Sequence, residues 1–198
     1  LSRFRNDAWS GLLIEPHPAT FARLETLHAV SDRVAVLNLG ISDIAANLTL
    51  YALSPETEAR LPRLPRARAS LLRDRIAAPG TTDADIFGVE VPFLRMDSVL
   101  QELGIDSAQV IAINAGGHEV QVLRSFDLAG LDPALVLVAS VPGTAADDAC
   151  VLALGAAGLI PFRVGDRLAG LAPGRLAVPM EELLTFFHKG LGDRDDDE

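Results

Sequence analysis

Three places in the chain hold side chains able to do chemistry. Glu15 closes the apolar run "GLLIEP", residues 11–16; Ser42 and Asp43 close "RVAVLNLGISD", residues 33–43; and Asn114, His118 and Glu119 lie in "VIAINAGGHEVQVLRSFDL", residues 110–128. In each, an apolar segment gives way to polar residues. A carboxylate in the position of Glu15 accepts hydrogen bonds from both hydroxyls of a nucleotide-type ribose, or caps the next helix. Ser42-Asp43 accepts from an adenine amino group, or caps a turn. His118 is a candidate base, and Glu119 either fixes it or caps the following helix. Gly116 and Gly117 let the backbone turn sharply and approach a ligand. Against this, Ala112, Asn114 and Gly116 occupy positions where a charged active site is expected. His17, His28 and His188 have no ligand-like spacing, and no metal site is expected. No HExxH, CxxC, GxSxG or GxxxxGKS motif is present. "GDRLAGLAPGRL", residues 165–176, lacks the strand before and helix after that a phosphate loop needs.

The elements that must position these residues alternate. Strands are predicted over 11–16, 33–42, 46–53, 89–96, 109–114 and 134–141, the one over 46–53 half-buried by its alternation, with closing strands in "LIPFRVG" and "RLAGLAPGRLAVP". Helices are predicted over 19–30, 97–105, 118–125 and 145–158, with a last one in "MEELLTFFHKGLG". Phe21, Leu24, Leu27 and His28 fall on one helical face; Asp97 is the expected N-cap of its helix, and Gly104 and Gly158 the stops. Residues 54–88, rich in Pro, Arg, Ala, Thr and Asp, read as an insertion or lid with one helix. Alternating strands and helices with continuously apolar strands predict an α/β fold, a parallel sheet with helices on both faces. Ligands of such sheets bind beyond the carboxyl ends of the strands, so Glu15, Ser42, Asp43 and Asn114 are expected to face one cleft.

Composition limits the classes open to the chain. The 198 residues, 49% of them hydrophobic, suit a single domain over 1–190 with an acidic, solvated tail over 191–198. A single cysteine, Cys150, excludes an intramolecular disulfide and a cysteine zinc cluster. With a net charge of −10 the protein has no electrostatic reason to bind nucleic acid. No apolar run approaches a membrane span, and no signal-peptide core follows "LSRFRND"; no membrane partner is expected, and a cytoplasmic location is. The local exception in charge is "RLPRLPRARASLLRDR", residues 60–75, which reads either as a solvated basic helix or lid, or as a patch for an acidic substrate or anionic surface. Composition is silent on oligomeric state.

In order along the chain, these segments resemble the FkbM-type methyltransferases, from about residue 9 to 170. "WSGLLIEPHPATFARL" is similar to the family's second strand and helix, "RVAVLNLGISD" to its third strand and Ser-Asp, and "LRMDSVLQELGI" to its Leu-Asp segment. "VIAINAGGHEVQVLRSFDL" is similar to a segment usually written Lys-Ile-Asp-x-Glu-Gly-x-Glu followed by x-x-Val-Leu-x-Gly. The resemblance implies a Rossmann-like sheet and S-adenosylmethionine as cofactor. It places Glu15 at the ribose, Ser42 and Asp43 by the adenine, and Asn114, His118 and Glu119 at the methyl-transfer site. The acceptor it implies is a hydroxyl of a small molecule or sugar. The departures are Ala112, Asn114 and Gly116 in place of Lys, Asp and Glu, and Ala139 near a common glutamate. The family's first, central strand and its glycine-rich turn lie before the point where the sequence starts, which reads as N-terminal truncation. Two hypotheses follow: a methyltransferase, or a catalytically inactive relative that keeps the fold as a binding or scaffold module. A nicotinamide-dependent dehydrogenase ranks last, because no GxGxxG is present.

Overall fold

The computed structural model describes residues 10–61, 69–77, 79–165 and 167–175. The expected C-terminal helix and acidic tail lie outside them. The chain forms two compact units, Leu1–Arg95 and Met96–Glu198. Its structure is mixed α/β.

In the first unit, β1 (Gly11–Ile14) and β2 (Val34–Leu37) pair in parallel, joined by α1 (Pro18–His28). Residues 33–42 do not form one strand as expected. The run breaks after Leu37, where the Asn38 side-chain amide leaves the ladder to donate to the carbonyls of Glu15 and Pro16, at 2.9 and 3.2 Å. The chain resumes as β3 (Gly40–Ile41) in a second, four-stranded sheet with β4 (Ala46–Leu53), β5 (Ala69–Ser70) and β6 (Ile86–Leu94), in the order β3-β6-β4-β5. Gly40 is buried against the Phe93 ring, and a Cβ there would lie 2.2 Å from a ring carbon. Leu50, Val91 and Phe93 form this sheet's core. On α1, Phe21, Leu24 and His28 are half-buried while Leu27 is exposed, so the apolar face is narrower than its periodicity predicted.

The segment 54–88 contributes to this sheet. It supplies β5, and β6 begins inside it at Ile86. Among its described residues the one α-helix is α2 (Pro55–Arg60), capped by the Ser54 hydroxyl on the Thr57 N–H. Asp85 ties the segment together, accepting from Arg60, Thr57 and Thr82, and these donors hold its carboxyl far below the usual carboxylate range. A second arginine of the basic run, Arg73, pairs with Asp83 at 2.6 Å. Residues 62–68, the middle of that run, lie outside the described residues.

The second unit holds α3 (Met96–Leu103), β7 (Val110–Ile113), α4 (Glu119–Leu123), β8 (Leu135–Val138), α5 (Ala145–Ala156), β9 (Ile160–Val164) and β10 (Arg167–Leu171). Its sheet order is β7-β8-β10-β9. The β7–β8 pair is parallel, but β10 runs antiparallel to both β8 and β9. A connection as short as residues 165–166 permits only antiparallel pairing, so the all-parallel expectation fails here. Asp97 is not the N-cap of α3; the helix starts one residue earlier, and the Asp97 carboxylate accepts from the Ser98 N–H at 2.7 Å within the first turn. Gly104 and Gly158 are stops as expected, with φ of +63° and +78°. Ile113, Leu123, Val136, Val138, Cys150, Leu154 and Leu168 form the core between this sheet and the helices α4 and α5.

Candidate active site

Glu15 stands immediately beyond β1, and its backbone N–H donates to Leu37 O at 3.0 Å, one rung past the β1–β2 ladder. The chain then turns through Pro16, and Glu15 Oε1 accepts from the His17 N–H at 2.8 Å. Among the described residues, Oε2 accepts no hydrogen bond. Burial pushes this carboxyl above the usual glutamate value, and the His17 N–H offsets part of that rise. Here is a half-buried acid with one oxygen held and the other open to a donor from outside. Asn38 grips its backbone from the end of β2.

Ser42-Asp43 follows β3 in the same unit. The Ser42 N–H donates to Leu94 O at 2.9 Å, which continues the parallel β3–β6 register by one residue. Ser42 is buried, and its hydroxyl donates to Asp43 Oδ1 at 3.3 Å. Arg95, just past β6, donates from a terminal nitrogen to the Asp43 carbonyl at 2.9 Å.

His17, which has no ligand-like spacing in the sequence, follows Glu15 and Pro16 at the start of α1. It is the N-cap of α1, its Nδ1 lies 3.2 Å from Thr20 Oγ1, and its ring tilts toward Phe87 at 6.3 Å between centroids. Burial pushes its pKa down and the Glu58 charge pulls it back part of the way.

The second unit carries Asn114, His118 and Glu119 on one turn between β7 and α4. Asn114 is exposed; His118 is half-buried and is the N-cap of α4, without a side-chain capping bond. Gly116 and Gly117 take φ of +61° and +105°, conformations L side chains rarely adopt. Glu119 is 5% exposed and its carboxylate is fully engaged: Oε1 accepts from Ala115 and Gly117 N–H at 3.0 and 3.1 Å, and Oε2 from Gly117 at 3.1 Å. These bonds give Glu119 a role beside the two expected of it: its carboxylate holds the turn that precedes α4.

A second polar network, missed in the sequence, lies beyond β8. Asp147, 5% exposed on α5, accepts from the Ser140 hydroxyl at 2.5 Å, the Gly143 N–H at 3.3 Å and the Arg163 guanidinium. Burial pushes the Asp147 carboxyl up, but these donors and the Arg163 charge outweigh it and leave it below the usual range. Burial and the charges of Glu119 and Asp147 push the neighbouring Cys150 thiol up to about 11.

The sequence matches the FkbM methyltransferase domain over residues 1–146. The chain belongs to that family. No curated protein and no solved structure matches it.

A methyltransferase domain of this family is thus built with Ala112, Asn114 and Gly116 along its third polar site, and the structure shows what two of them do. Gly116 serves a turn that needs positive φ. Ala112 stands opposite Leu137 in the β7–β8 register. Among the described residues no helix is long and apolar enough to cross a membrane, and no group of three metal-ligating side chains comes together.

Proposed function

We propose that the protein is an S-adenosylmethionine-dependent methyltransferase acting on a hydroxyl of a small molecule or sugar. The observation that carries the reading is Glu15, a half-buried carboxylate at a strand end with one oxygen open to a donor. Its acceptor oxygens fit the cofactor: a ribose presents two hydroxyl donors, and a half-buried carboxylate gains from accepting them. On this reading Glu15 holds the ribose, and Ser42 and Asp43 accept from the adenine. Bound S-adenosylmethionine would supply an electrophilic methyl group. His118, half-buried at the head of α4, takes the proton from the acceptor hydroxyl, and Asn114 orients that hydroxyl. Glu119 keeps the turn rigid beneath them.

A second reading is favoured by Glu119 itself. With its carboxylate spent on backbone N–H groups, and with Asn114 neutral, neither residue takes the proton, and the chemistry rests on His118 alone. A chain in which His118 does not act as a base is a binding module that keeps the fold. The test is transfer of a labelled methyl group to a panel of polyhydroxylated small molecules. Transfer by the unaltered protein, with kcat lowered about 10²-fold or more and KM unchanged in His118→Ala, supports the enzyme. Cofactor binding without transfer supports the module.

A further inference from the structure

We propose that Arg95 is a positioning residue that holds Asp43 in place to read the adenine amino group. The inference rests on the cofactor reading above and adds a residue to it. β3 is only two residues long, and its parallel ladder with β6 ends at Ile41–Leu94, with one more rung from the Ser42 N–H to Leu94 O. At the next step the strand pairing stops and the chain bends away. There the Arg95 side chain makes the rung that the backbone no longer can, donating to the Asp43 carbonyl at 2.9 Å from 52 residues away in sequence. The bond falls on the backbone of Asp43, so the carboxylate is left for other donors. The Ser42 hydroxyl reaches Asp43 Oδ1 at 3.3 Å, a long contact that orients the carboxylate without saturating it. Buried Ser42 anchors one side of the turn and Arg95 the other. A guanidinium is suited to this: it stays charged, and a bond from a charged donor is stronger than a neutral one.

The test is calorimetric titration of the full chain with S-adenosylhomocysteine and with S-inosylhomocysteine, in which an oxo group replaces the 6-amino group. Arg95→Ala is expected to weaken the adenosyl ligand about tenfold, the scale of one charge-assisted hydrogen bond. It should leave the inosyl ligand within about twofold, so that discrimination collapses. Arg95→Lys, which keeps a charged donor, should restore most of it. Asp43→Ala should lose the same discrimination, with no further loss in the double variant. Equal weakening of both ligands by Arg95→Ala, or of neither, overturns the proposal. If the unaltered chain binds neither ligand, the cofactor reading falls, and the positioning of Asp43 is decided by amide exchange. Faster exchange over residues 42–45 in Arg95→Ala then upholds the positioning, and unchanged exchange overturns it.

Discussion

At the scale of single residues, Glu15 makes stability depend on pH. Its folded-state pKa is raised by burial, so the folded state takes up a proton more readily than the unfolded chain. The sign follows by linkage: its contribution to stability is most favourable below the unfolded value and is lost as pH rises through the folded one. Glu15→Gln should therefore raise the melting temperature at neutral pH, and the gain should vanish in acid, where the wild-type side chain is itself neutral. Thermal melts of both proteins across pH check this. Cys150, fully buried with its thiol pushed up to about 11, should resist alkylation in the native state and react only on unfolding, as thiol titration with and without denaturant would show. The positions of Glu15 and Asp43 just past strand ends were legible in the sequence, because an acid closing an apolar run is a local signal. Arg95 carried no such signal, since its role depends on a partner at Asp43. Nor did Asn38, an amide inside the apolar run "VLNLG", whose hydrogen-bond partners lie just past β1.

At the scale of elements, the turns are set by a few side chains. Glu119→Ala leaves the part-buried Ala115 and Gly117 N–H groups without their acceptor, at about 1 kcal/mol each, the low end of the cost of an unsatisfied donor. Chemical denaturation should show that loss, and Glu119→Gln should recover part of it. The same turn bears on any attempt to restore the family's usual residues. Asn114→Asp replaces an exposed side chain and should be tolerated, whereas Gly116→Glu forces a side chain into φ +61°, at about 1–2 kcal/mol. In the first unit, Gly40→Ala sets a methyl group against the buried Phe93 ring and should cost about 1–3 kcal/mol of stability, which Phe93→Leu would relieve. Strand and helix positions were legible from periodicity, and most ends fell within a few residues. The break at Asn38 and the start of β6 at Ile86 were not, because both are decided by hydrogen-bond partners in other segments.

At the scale of the whole molecule, alternating strands and helices made the α/β class legible. How the strands associate was not: the described residues form one two-stranded and two four-stranded sheets, and both β4 and β10 run antiparallel to their neighbours. Apolar alternation says that a strand is buried, not which strand it pairs with. The second unit is stitched by Asp147, which binds the loop after β8 to α5 and β9 through Ser140, Gly143 and Arg163. Asp147→Ala should cost about 3 kcal/mol, the low end for breaking a buried pair because Arg163 is 31% exposed. Since the Asp147 pKa is depressed, its contribution is present at neutral pH and lost as pH falls through the folded value. The central claim is that the open carboxylate oxygen of Glu15 binds the ribose of S-adenosylmethionine, and titration of the full chain with S-adenosylhomocysteine tests it most directly. The account predicts binding by the unaltered protein and a loss of at least about tenfold in a folded Glu15→Ala variant, the scale of a hydrogen bond to a charged group. Equal affinity in the two proteins would contradict it.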